Sequence, residues 1–63
     1  MNETEFFAAL ISYIKPKYEG LANLLDTRPE KWLDSIQKIR NLCEERGIKD
    51  EEQIPYVVAN LFL

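Results

Sequence analysis

Carboxylates are the most plentiful reactive groups in this chain, eleven Asp and Glu in 63 residues, and paired carboxylates do acid–base work when burial drives their pKa values apart. Glu44-Glu45 and Asp50-Glu51-Glu52 are the adjacent sets. One falls at a helix end and the other at a helix start, among polar neighbours, where such residues read as solvated side chains or caps. Neither set shows the alternating oxygen ligands of a calcium loop. Cys43 is the single cysteine and histidine is absent, so a thiol nucleophile would have no imidazole base, and no internal disulfide or Cys/His zinc site can be assembled. Cys43 lies on an apolar helical face and reads as a small core residue. Ser12 and Ser35 lack a base for the same reason as Cys43. No catalytic apparatus is recognisable, and neither a cofactor nor a metal is expected.

Lys and Arg number eight, giving a net charge of −3, which opposes generic binding to nucleic acid or anionic lipid. Arg28, Lys31 and Lys38 nevertheless fall on one helical stripe that Arg40 and Lys15-Lys17 extend, interrupted by Asp34. That stripe is the candidate for phosphate contacts if the chain is a nucleic-acid-binding regulator. A helix-turn-helix reading would make the segment after Gly47 the recognition helix, but it opens on Asp50-Glu51-Glu52 and continues apolar, unsuited to a major groove on both counts. Nucleic acid is therefore the alternative partner, and a protein the expected one.

The aromatic residues carry that expectation. Phe6, Phe7, Tyr13, Tyr18, Trp32, Tyr56 and Phe62 are many for so short a chain, and a domain of this size buries only about 60% of the surface its unfolded form exposes. Trp32 and Phe7 read as core anchors. Phe6, Tyr13, Tyr56, Leu61, Phe62 and Leu63 read as a docking surface for a protein partner or a second copy of the chain, because aromatic side chains are enriched at interface hot spots and exposed apolar chain ends need cover.

The elements that position these residues follow from periodicity. Phe7, Leu10, Ile11, Ile14, Tyr18, Leu21 and Leu25 recur at steps of three and four, the helical period. Asn2 is a plausible N-cap for this stretch, with Glu3 and Glu5 in the first turn. Pro16 kinks or breaks it; the apolar phase runs on from Ile14 to Tyr18, so two pieces in near-continuation and two separate helices both satisfy the pattern. Thr27-Arg28-Pro29-Glu30 has the form of a capping box with Pro in the first turn, predicting a helix over about 28–46 that carries Trp32, Leu33, Ile36, Ile39, Leu42 and Cys43. Gly47 is its expected left-handed C-cap, with Ile48 folding back onto Leu42 or Cys43. Asp50 with Gln53 resembles another cap, yet Pro55 predicts that regular helix begins only near itself. The expected fold is all-α, a single domain over 1–63: a helical hairpin or three-helix arrangement, its first arm kinked or broken at Pro16, with a short C-terminal helix across the open apolar side.

The acidic start Met1-Asn2-Glu3-Thr4-Glu5 and the absence of a cleavage pattern predict a protein that is not exported, and one free cysteine fits a reducing cytoplasm. Tyr56 to Leu63 is far shorter than the roughly 20 apolar residues of a spanning helix, so no membrane association is expected. The run from Tyr18 through Asp26-Thr27-Arg28-Pro29-Glu30-Lys31-Trp32 to Glu44-Glu45-Arg46-Gly47, with the overall length, resembles the small early-operon accessory proteins of lambda-like temperate phages. The resemblance implies a non-enzymatic protein acting through protein contacts in the cytoplasm of a bacterial host, modulating host physiology or the choice between lysis and lysogeny. It carries no site residues over.

Overall fold

Asn2 opens the first helix through a reciprocal capping box: its side-chain oxygen accepts from the Glu5 N–H at 2.8 Å, and the Glu5 carboxylate accepts from the Asn2 N–H at 3.1 Å. The structure, a computed structural model, describes residues 1–62. Among them are four α-helices, α1 (Glu3–Ile14), α2 (Glu19–Thr27), α3 (Leu33–Glu45) and α4 (Asp50–Phe62), with a 3-10 turn at Pro29–Lys31 and no strand. The all-α expectation is met, with more separate helices than the hairpin reading required.

Phe6, Leu10 and Ile14, spaced by four, form the buried stripe of α1. Pro16 ends that helix rather than kinking it, since its ring has no N–H to continue the ladder. The Lys17 and Tyr18 N–H groups instead donate to the Ile14 carbonyl at 3.1 and 2.8 Å. The chain then turns, and α2 packs back against α1 through Ala22 and Leu25.

The capping box expected at Thr27 is not formed. Thr27 is the last residue of α2, and its hydroxyl donates to the Asn23 carbonyl at 2.7 Å, one turn back in the same helix. Arg28, restricted because it precedes Pro29, leaves the helical region at φ −133°, ψ 65°. Pro29 starts the short 3-10 turn, and α3 begins only at Leu33, five residues later than the sequence pattern suggests.

The end of α3 matches expectation in detail. Gly47 has φ +72°, the Gly47 N–H donates to the Glu44 carbonyl at 3.0 Å, and the Ile48 N–H donates to the Cys43 carbonyl at 3.0 Å. These two bonds make a Schellman motif, which only a residue at ease in the left-handed region closes without strain.

Helix α4 starts at Asp50 and contains Pro55 in its interior, contrary to the expected start near Pro55. An interior proline costs roughly 3 kcal/mol, whereas burying Ile54, Val57 and Val58 contributes about 1.5–3 kcal/mol each. Burial wins, and because Glu51 and Pro55 are both exposed, the carbonyl left without a donor lies on the solvated side. Gln53, Ile54, Val57 and Val58 are the buried residues of α4. This helix packs against both α1 and α3 and so closes the domain.

One aromatic assignment is reversed and another is met only in part. Phe6, expected at the surface, is a fully buried core residue, while Phe7, expected as an anchor, is half-buried against the core edge. Leu61 and Phe62 also pack against the core instead of standing free. The Phe62 ring lies 5.6 Å from that of Trp32, tilted by 55°. Leu63 lies outside the described residues.

Candidate protein-docking surface

Ile39, Leu42 and Cys43 of α3, with Arg46 just past its last residue, follow one another at spacings of three and four residues. On α4, Tyr56 and Asn60 do the same. The Schellman turn sets Ile48 between the two helices, and together these residues line a groove of about 210 Å³. Cys43 forms part of its buried floor. Leu42 and Tyr56 stand at its sides, 53% and 51% exposed, so two large side chains remain half in water. The Asn60 side-chain amide donates to the Tyr56 carbonyl at 2.8 Å, which ties it to its own helix.

Of the residues expected to dock a protein, Tyr56 is in this groove. Tyr13 is equally exposed but belongs to α1 and does not line it. Phe62 lines a smaller depression of about 140 Å³ with Tyr18, Leu21 and Val58. Phe6 is unavailable because the core encloses it, and Leu61 and Phe62 are partly covered by their own domain. Leu42, Ile48 and Arg46 were not among the expected contacts. Their signal was the width of the α3 apolar face: Ile36, Ile39, Leu42 and Cys43 span more of the helix than one neighbour covers.

The basic stripe is also divided. Arg28, Lys31 and Lys38 are exposed, but Arg40 is buried, with 6% of its surface accessible. Its position is fixed by Ile36, Arg40 and Cys43 sharing the inward face of α3. The Arg40 guanidinium lies 4.2 Å above the centre of the Phe6 ring, a cation–π contact. Its Nε donates to Gln53 Oε1 at 3.2 Å, and its Nη2 donates to the Met1 carbonyl at 3.4 Å and to Asp50 Oδ1 at 3.3 Å. Gln53, itself buried, donates through Nε2 to the Ile48 carbonyl at 2.8 Å. Neither Asp50 nor Gln53 therefore forms the cap their spacing suggested. Arg40 is a structural cation and is withdrawn from the phosphate-binding stripe.

Asp50 completes this cluster by pairing with the Met1 amino group as well as Arg40. The hydrogen bond from the Met1 ammonium, with that group's charge and Arg40 adding to it, holds the Asp50 carboxyl below the usual carboxylate range. Reciprocally, the bond to Asp50 raises the Met1 amino group above its ordinary value. Glu44, Glu45, Glu51 and Glu52 are exposed. Among the described residues, no group of three or more His, Cys, Asp or Glu side chains is placed to hold a metal ion, and no helix is long and apolar enough to cross a membrane.

Compared with known proteins, the chain has no significant match among family models, curated sequences or solved structures.

Proposed function

We propose that this chain is a non-enzymatic regulatory or accessory module that acts by binding another protein through the groove between α3 and α4. The observation that carries the proposal is the half-exposure of Leu42 and Tyr56 along a groove that Ile39, Ile48 and the buried Cys43 also line. Large apolar and aromatic side chains in such positions are those that anchor interfaces once water is excluded. At about 210 Å³, the groove falls short of the roughly 300–1,000 Å³ typical of small-molecule sites, and it suits a partner's side chain better than a substrate. The resemblance to accessory proteins of temperate phages supports a bacterial host protein as the partner and host physiology or the lysis–lysogeny choice as the process.

Nucleic-acid binding has less support, because with Arg40 internal the stripe retains Arg28, Lys31 and Lys38 around an intervening Asp34. The test is affinity capture from bacterial lysate with three forms of the chain. A protein retained by the parent and by Tyr13→Ala, but lost with Leu42→Gln plus Tyr56→Gln, is the expected result. Retention by the groove variant would contradict the proposal.

A further inference from the structure

Trp32 is the one tryptophan of the chain. Its indole lies where the end of α4 meets the start of α3, against the Phe62 ring and packed on the core. The Nε1 atom is closed off from solvent, and among the described residues its N–H meets no acceptor. A buried donor left in this state forfeits the hydrogen bond to water that it makes when exposed. The indole has no acceptor function with which to recover the loss. The closed arrangement therefore carries a cost that uncovering the indole relieves.

The segment beside the indole is lightly held. The buried residues of α4 stop at Val58; Ala59 and Asn60 are exposed, and Leu61 and Phe62 are only half-buried. Asn60 donates its side-chain amide to the Tyr56 carbonyl at 2.8 Å. In a regular helix that carbonyl serves the Asn60 backbone N–H, and such back-bonding one turn earlier weakens or bends a helix. Phe62 also borders the depression that it lines with Tyr18, Leu21 and Val58, so its ring is not packed on every side. By contrast, Ile54, Val57 and Val58 are buried in the core and hold the preceding part of α4 in place.

We propose that residues 59–62 form a flap that opens as a unit from Trp32 while α4 up to Val58 stays packed. Opening gives the indole N–H access to water and bares the Trp32 ring together with the sides of Leu21 and Val58 that Phe62 borders. The flap is a conformational device that does not depend on the docking role of the groove between α3 and α4. It bears on that groove, however, because Asn60 lines it and opening reshapes that end.

The test is native-state hydrogen exchange on the full chain labelled with nitrogen-15. The single indole reports on the flap, and the amide of the fully buried Val57 reports on opening of the domain. The indole N–H is expected to show a protection factor at least about tenfold below that of Val57. Its exchange should be nearly independent of added urea, because lifting one turn exposes little surface, and the Leu61 and Phe62 amides should behave alike. Trp32→Phe removes the orphaned donor and keeps an aromatic ring beside Phe62. It should raise the protection of the Leu61 and Phe62 amides relative to Val57, whereas a smaller ring would otherwise loosen them. An indole protected as strongly as Val57, with the same urea dependence, would overturn the proposal and point to an N–H satisfied by the face of the Phe62 ring. Unchanged or faster relative exchange of Leu61 and Phe62 in Trp32→Phe would also overturn it. Should that variant fail to fold, the measurement on the parent chain decides alone.

Discussion

Arg40, inside α3, and Arg46, the residue that follows its end, stand six residues apart and meet opposite surroundings. Arg40 lies over Phe6 and is bonded to Gln53, Asp50 and the Met1 carbonyl. Arg46 is exposed and lines the groove between α3 and α4. The same two helices, α3 and α4, build both places. What separates them is cover: Phe6 of α1 and the residues before it close over Arg40, whereas Leu42 and Tyr56 remain half in water. The polar cluster therefore ties the helices to one another, and on the proposed reading the groove is where a partner docks. Substitutions in the first should change stability, and substitutions in the second should change association.

The largest effect is expected at the centre of the cluster. Arg40→Ala removes the cation–π contact and leaves the Gln53 oxygen and the Asp50 carboxylate without their partner. The cost should be about 2–4 kcal/mol, below that of a fully buried pair because Asp50 is partly solvated. For a domain this small that lowers Tm by roughly 10–25 °C, readable by circular dichroism. Gly47→Ala comes next, at about 1 kcal/mol, because an added Cβ is strained in the left-handed region. The Cβ itself would meet no atom within 4 Å, so a cost well above that figure would show that the turn does more than end α3.

A smaller effect concerns acid. Since the folded-state pKa of Asp50 is lowered, its contribution to stability is present above the unfolded value of about 4 and is lost as pH falls through the folded value. Asp50→Asn should remove that part of the acid limb in melts recorded between neutral pH and pH 2. An unchanged acid limb would show that the exposed carboxylates set it instead.

The sequence made some of this visible, and the boundary is physical. Helix ends decided by local chemistry were legible: Asn2 caps α1, and Gly47 closes α3 with the hydrogen bonds its position implies. Thr27-Arg28-Pro29-Glu30 has the form of a helix start, and that reading fails because the same residues also fit a helix end. The Thr27 hydroxyl bonding back to Asn23 and the restriction on Arg28 before Pro29 decided it. At Pro55 local propensity pointed one way, and burial of Ile54, Val57 and Val58 overrode it. Adjacent Phe6 and Phe7 both fit the helical period, and which faces inward depends on where α2 and α4 lie. Arg40 looked like one more surface cation because its partners are 10, 13 and 39 residues distant in the chain. Tyr56 was legible as part of a surface, but the groove also needs Leu42 and Ile48, brought to it by a turn whose form was foreseen and whose consequence was not.

The smallest stability effect is expected in the groove proposed to dock a partner. Leu42→Gln with Tyr56→Gln keeps good helix formers and some of the apolar stem at both positions, and should cost less than about 1 kcal/mol. Thermal unfolding of this double variant beside Arg40→Ala tests the account most directly. The double variant should melt within roughly 8 °C of the parent while Arg40→Ala falls further. A double variant that loses as much as Arg40→Ala, or more, would show that Leu42 and Tyr56 belong to the core and that the groove is no surface held open for a partner.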